Sequence, residues 1–231
     1  MLLDLSNVHA GYGRAEVLHG VDLRVPDGNV VALLGANGAG KTTLLKTVAG
    51  LLRPTRGTIR WQGAAIETTS PHERVKSGIC LIPEGRGVFR RLSVRENLAM
   101  QVRGKRVGLA VEQATAAFPV LGRRLGQLAG TLSGGEQQML ALSRALVSGA
   151  KLVLADELSV GLAPVVVDEI FDVVNGLRTQ GCSLLIVEQY VERAVEIADY
   201  VYILQKGTVA FVGEPEQCLA GPIFDRYLGT G

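Results

Sequence analysis

The first 30 residues alternate apolar and polar positions in two short runs, Leu3 to Val8 and Val17 to Val25, separated by the turn-rich Ala10-Gly11-Tyr12-Gly13. A period of two turns one face of each run to a core and the other to solvent, which predicts two strands of an antiparallel sheet. The pattern then changes. Val30-Val31-Ala32-Leu33-Leu34 is apolar without a break, as in a strand covered on both faces, and it leads into a glycine-rich loop and a helix-like stretch from Lys41 to Leu52. Pro54 and Gly57 close that unit. Leu152-Val153-Leu154 and Ser183 to Val187 repeat the buried-strand pattern and alternate with helix-like segments, the signature of a parallel sheet. Pro164 suits the first turn of a helix that continues to Arg178, with Gly181 beyond its end. Tyr200 to Leu204 and Thr208 to Val212, around Lys206-Gly207, predict a hairpin.

Between Gly85 and Gln138 helix signals replace strand signals. Ser93-Val94-Arg95-Glu96 and Ser133-Gly134-Gly135-Glu136 both have the spacing of a capping box, where a serine accepts a helix amide and a glutamate reaches back. The expected organisation is therefore one α/β domain over 1–231: residues 1–84 and 139–231 form a mostly parallel core with an antiparallel β part, and 85–138 form an inserted helical lobe. With 231 residues, 47% of them hydrophobic, the chain can bury one substantial core but not several. Its 24 basic and 22 acidic residues leave a net charge of +2, which calls for neither nucleic acid nor an anionic membrane. No apolar run approaches the roughly 20 residues that span a bilayer, and the start has no basic region followed by an apolar leader, so a cytosolic chain is expected. Cys80, Cys182 and Cys218 are odd in number and widely spaced, which points to neither a disulfide framework nor a zinc site.

Three segments carry chemistry. Gly35-Ala36-Asn37-Gly38-Ala39-Gly40-Lys41-Thr42-Thr43 fits Gly-x-x-x-x-Gly-Lys-Thr between a predicted strand and a predicted helix. In that arrangement glycines let backbone amides curl around phosphate oxygens, the helix start adds a positive dipole, the lysine reaches the β and γ phosphates and the threonine ligates Mg²⁺. The plainer explanation, a glycine turn with no ligand, lacks a reason for these flanks. Asp156 and Glu157 follow the strand at Leu152, at the carboxyl edge where α/β sheets bind ligands. Asp156 suits a Mg²⁺ shell and Glu157 a general base for an attacking water, although two acidic residues at a strand end are as often merely solvated. Leu132-Ser133-Gly134-Gly135-Glu136-Gln137-Gln138 opens a helix with an apolar face of Met139, Leu142 and Leu146. On physical grounds it is an ordinary helix cap first and a second anion site only second.

Taken in this order, the three segments resemble the ATP-binding cassette (ABC) family of phosphate-loop ATPases, and the likeness runs from Leu3 to Leu228. Leu-Ser-Gly-Gly-Glu is its most discriminating piece. The resemblance implies ATP and Mg²⁺ as ligands, with Gly35, Asn37, Gly38, Ala39, Gly40, Lys41, Thr42 and Thr43 around the phosphates. Tyr12 would stack on adenine, and Ser133, Gly135 and Glu136 would belong to a segment facing nucleotide held by another copy in a head-to-tail dimer. Ser159 to Ala163 resembles the segment that crosses to that partner. Pro83-Glu84-Gly85-Arg86-Gly87-Val88-Phe89, Leu92 to Leu98 and Leu185-Ile186-Val187-Glu188-Gln189 resemble the second ATPase of branched-chain amino acid importers. That subgroup implies a second, different ATPase or self as partner, two membrane permeases, an indirect link to a binding protein, and a peripheral place on the cytoplasmic face of the membrane.

The chain departs from the family pattern at three positions. Glu84 stands where a glutamine is usual, able to ligate Mg²⁺ but adding negative charge beside a triphosphate. Gln189 stands at the histidine switch, able to bond a γ phosphate but unable to titrate. Leu158 replaces the proline expected directly after Glu157. Three further readings compete with a branched-chain amino acid importer. One is an importer of another small solute such as urea or an amide. Another is a cassette that remodels a ribosome or DNA, which would bring a second cassette, a coiled coil or a basic extension. The last is a regulatory module that holds ATP without turnover, which Glu157 argues against.

Overall fold

The computed structural model of the chain describes residues 1–85, 87–102, 106–188 and 191–219. Strands β1 (Leu3–Tyr12) and β2 (Ala15–Val25) pair antiparallel, with Leu3 opposite Val25 and Tyr12 opposite Ala15. The turn is tighter than the sequence suggests, because Gly11 and Tyr12 remain in the strand and Gly13 alone supplies the left-handed φ of 61°. A bulge between Leu5 and Val8 interrupts the strict alternation and lets Asn7 adopt φ 50°. Strands β3 (Val30–Leu34), β4 (Arg56–Trp61) and β5 (Ala64–Ala65) follow, and the first sheet has the order β2-β1-β4-β5. Gly57 does not close a unit as its sequence position suggested. It lies within β4 at φ 84°, where a Cβ would stand 2.2 Å from the carbonyl oxygen of Asn7.

The second sheet holds β3, β6 (Ile79–Ile82), β7 (Leu152–Asp156), β8 (Ser183–Val187), β9 (Tyr200–Gln205) and β10 (Thr208–Gly213), in the order β10-β9-β3-β8-β7-β6. Five of the strands run parallel and β10 returns antiparallel on the edge. Every residue of β3, β7 and β8 is buried, which is why each reads as an unbroken apolar run. β6 escaped sequence reading because four residues are too few to distinguish a strand from a helix segment.

Helix α1 (Lys41–Val48) is shorter than expected: Gly50 takes φ 79°, and the Leu51 and Leu52 amides turn back onto the Lys46 carbonyl. α2 (Pro71–Lys76) begins with a Ser70–Glu73 capping box that sequence reading passed over. α3 (Val94–Ala99), α4 (Val107–Ala117), α5 (Pro119–Gly122) and α6 (Gly134–Ser148) occupy the helical stretch, and both expected capping boxes are formed. α6 runs unbroken across residue 139, and its Leu140 and Leu142 share one apolar cluster with Phe118 and Leu121 on one side and Val153 and Ile186 of the sheet on the other. α7 (Pro164–Thr179), α8 (Val191–Ile197) and α9 (Pro215–Leu219) are the remaining helices among the described residues. Among the described residues no helix is long and apolar enough to cross a membrane.

Candidate functional site

The strand order β3-β8-β7-β6 determines what meets at the carboxyl edge of the large sheet. The loop from Gly35 leaves β3, Glu188 leaves β8, Glu157 leaves β7 and Glu84 lies two residues past β6. Segments far apart in sequence thus stand side by side, as ligand-binding edges of α/β sheets require.

The phosphate-loop segment has the backbone its glycines predict. Gly35, Gly38 and Gly40 take φ of 142°, 79° and 108°. A Cβ at Gly35 would stand 2.2 Å from the Leu204 carbonyl oxygen, whereas one at Gly38 would meet nothing within 4 Å, so the loop packs tightly behind and opens in front. The Lys41 ammonium donates to the carbonyls of Gly35 (2.7 Å) and Ala36 (3.1 Å), folding the loop around its own side chain. Burial holds the Lys41 pKa below its ordinary value, and the Glu157 and Asp156 carboxylates counter that pull. α1 starts at Lys41 with no side-chain cap, so its first amides point into the loop.

Thr42 Oγ1 donates to Asp156 Oδ1 at 3.2 Å, tying the loop to the end of β7. Burial raises the Asp156 pKa above the usual carboxylate range; the Thr42 hydrogen bond opposes the rise, and the charges of Glu157 and Glu84 add to it. Glu157 is half-buried, and its backbone takes a left-handed φ of 52°. Non-glycine residues rarely adopt this conformation, and it concentrates where structure serves chemistry. A cavity of about 500 Å³ collects these groups: Asn37, Gly38, Gly40, Lys41, Thr42, Thr43, Glu84 and Glu157 line it, together with Val17. A donor set of one hydroxyl and carboxylates suits a hard cation such as Mg²⁺, which takes few protein ligands and completes its shell with water and phosphate oxygens. Among the described residues no group of three or more His, Cys, Asp and Glu is placed to hold a metal by itself.

Ser133, Gly135 and Glu136 do not line this cavity. Ser133 Oγ accepts the Glu136 amide at 3.3 Å, and Glu136 accepts the Ser133 amide at 2.8 Å and pairs with Arg124 at 2.9 Å. Gly135 has a packing reason as well: a Cβ there would stand 2.6 Å from Val166 Cγ1 on α7.

A family model described as ABC transporter matches residues 18–160. The chain belongs to the ABC transporter family. Along 99% of its length this cassette is 40% identical to the high-affinity branched-chain amino acid transport ATP-binding protein BraG of Pseudomonas aeruginosa, all of which is covered. It is 38% identical to the probable branched-chain amino acid transport ATP-binding protein LivF of Archaeoglobus fulgidus, with 97% of each chain covered. A solved structure of an ATP-binding subunit of an ABC transporter superposes with a TM-score of 0.85 at 26% identity, covering 98% of this chain and 97% of the other.

Two further expectations of the cassette concern its rim. Tyr12, at the end of β1, is 49% exposed, and the Lys46 ammonium of α1 sits 5.9 Å from its ring centroid. Gln189 and Arg86 lie outside the described residues. Sequence reading missed three contributors. Val17 faces the cavity from a strand that pattern alone assigns to a sheet. Gly207 donates its amide to Ala39 (2.9 Å) and accepts from His19 (2.8 Å), so the β9–β10 turn braces the phosphate-loop segment. Arg144 of α6 donates to the carbonyl of Gly87 (2.8 Å), holding the segment after Glu84. All three act across long sequence distances, and no local motif announces them.

Proposed function

We propose that this cassette hydrolyses ATP and drives import of branched-chain amino acids through membrane permeases. The observation that carries the reading is one cavity lined by a lysine-bearing glycine loop, Glu84 and Glu157, with Asp156 tied to it through Thr42. The end-to-end relationship to BraG supports the choice of solute.

In this reading Gly35, Asn37, Gly38, Ala39, Gly40 and Thr43 surround the triphosphate, Lys41 binds its β and γ oxygens and Tyr12 stacks on adenine. Thr42 and Asp156 hold Mg²⁺, with Glu84 beside them; the ion supplies charge neutralisation at the phosphates. Glu157, which lines the cavity from a left-handed backbone, accepts the proton of the attacking water. Gln189 contacts the γ phosphate by hydrogen bonding alone. Ser133, Gly135 and Glu136 meet nucleotide on a second cassette, either another copy or a different ATPase, in a head-to-tail pair. Residues 85–138 form the lobe that meets the permeases, on the core of 1–84 and 139–231. The working place is peripheral, on the cytoplasmic face of the membrane, with a binding protein linked only through the permeases.

The test is ATP hydrolysis by wild type and Glu157→Gln, alone and with membranes holding the co-encoded permeases. Permease-stimulated turnover that falls by about 10²–10⁴-fold in the variant, with ATP binding kept and a dimer trapped, is expected. Binding without turnover in every setting would replace this reading with a regulatory module.

A further inference from the structure

The turn that carries Glu157 lacks the proline that the family places next, and the structure shows what stands in for it. A left-handed backbone at a glutamate is strained and persists only where its surroundings over-determine it. Leu158 brings no ring to fix φ. Among the described residues three tethers hold the turn instead. The Glu157 amide donates to the Val187 carbonyl at 2.9 Å. The Leu158 side chain, 1% exposed, is buried in the cluster that β7 and β8 share. The Ser159 hydroxyl, fully buried, donates to Glu188 Oε2. Beyond Ser159 the chain returns to the surface at Val160 and Gly161. Two of the three tethers end on consecutive residues at the end of β8, Val187 and Glu188.

We infer that the Ser159–Glu188 hydrogen bond is a positioning contact for Glu157, doing for this turn what proline does in the family pattern; this rests on the reading of Glu157 as the general base. Neither Ser159 nor Glu188 lines the cavity, and both side chains are buried. Glu188 is only 2% exposed, and a buried carboxylate is tolerated only with hydrogen-bond partners. A hydrogen bond has a defined direction and length, so it can fix a turn that apolar packing alone leaves free to slide. It also ties the loop after β7 to the residue directly preceding position 189, so both loops at the reaction edge share one anchor. Leu158→Pro exchanges the buried leucine tether for a ring that fixes φ and keeps both tethering hydrogen bonds, since these come from the Glu157 amide and the Ser159 hydroxyl.

The experiment measures steady-state hydrolysis by the assembled transporter and ATP affinity of the purified cassette for Ser159→Ala, Glu188→Gln, Leu158→Pro and Ser159→Ala/Leu158→Pro, with Glu157→Gln as control. Ser159→Ala should lower kcat about tenfold or more while KM and ATP affinity stay within about twofold, the signature of a group misplaced in the transition state. Glu188→Gln keeps an acceptor and should retain most activity, and Leu158→Pro should restore Ser159→Ala to within about threefold of wild type. If Glu157→Gln is inactive but Ser159→Ala turns over like wild type, the positioning role is overturned and the base assignment stands. Parallel loss of kcat and ATP affinity, unrelieved by Leu158→Pro, would reduce the bond to a general folding contact and also overturn the inference. Wild-type turnover by Glu157→Gln would remove the base assignment itself.

Discussion

Two short glycine-bearing segments in this cassette each open a helix, and they are built in opposite ways. At α1 the glycines bend the backbone: Gly35, Gly38 and Gly40 have positive φ, no side chain caps the helix, and a buried lysine folds the loop. At α6, Gly134 and Gly135 are ordinary helical residues, Ser133 and Glu136 complete a capping box, and Gly135 is small so that α7 can approach. The first segment leaves its helix-start amides without a side-chain cap. The second satisfies part of its own end and leaves Ser133 exposed. A glycine-rich helix start is thus two devices, separated by the sign of φ and the presence of a cap.

Lys41→Ala breaks the first device most severely. The side chain donates to two loop carbonyls and, in the proposed function, binds the phosphates, so its loss should weaken ATP binding by on the order of 100-fold, about 3 kcal/mol, in equilibrium titrations of the isolated cassette. Tight binding by this variant would remove the lysine from the phosphate site. No single residue of α6 should have a comparable effect on the isolated chain.

Gly135→Ala sharpens the contrast from the other side. The new Cβ would meet Val166, a β-branched side chain with little freedom at χ1, so overpacking should cost about 1–3 kcal/mol in chemical denaturation while leaving ATP affinity of the monomer unchanged. Val166→Ala in the same chain should recover much of that loss. Gly38→Ala, with open space around the Cβ but φ 79°, should cost about 1–2 kcal/mol through the backbone alone, a loss that no neighbouring truncation relieves.

The same contrast marks how far the sequence could be read. β3, β7, β8, the hairpin of β9 and β10, both anticipated capping boxes and the whole 35–43 loop were legible because their signals are local: unbroken apolar runs, serine and glutamate three apart, glycines before Gly-Lys-Thr. β4 was hidden by Gly57, whose role is a close approach to Asn7 from the next strand. The Ser70–Glu73 box had the same spacing as the other two, but it opens a six-residue helix with no apolar face to draw attention to it. Val17, Gly207, Arg144 and the Ser159–Glu188 bond were illegible for one reason: each acts on a partner brought near only by sheet order.

Ser133→Ala probes the α6 device at its cap. Loss of the hydroxyl that accepts the Glu136 amide should cost about 1 kcal/mol of stability, while ATP binding to the isolated chain stays unchanged. Turnover should fall far more than stability does if Ser133 meets a nucleotide on a second cassette. Turnover that tracks stability alone would make α6 an ordinary capped helix.

The smallest expected effect separates what the phosphate-site region does for folding from what it does for ligand. Burial raises the Asp156 pKa, so the folded chain holds that proton more tightly than the unfolded chain does. The sign follows: the carboxylate exacts no penalty below its unfolded pKa, and stability falls as pH rises through the folded one. At neutral pH the ligand-free cassette therefore carries an unfavourable charge, and Asp156→Asn should raise Tm by about 2–4 °C, equivalent to at most about 1 kcal/mol in a chain of this size. The difference should close as pH falls through the carboxylate range. Mg²⁺ with ATP should reverse the order, because only the wild type gains the stabilisation that follows from tight binding. A variant less stable than wild type at neutral pH without ligand would mean that the Thr42 hydrogen bond outweighs burial at Asp156, and that this end of the sheet is built for rigidity before it is built for a cation.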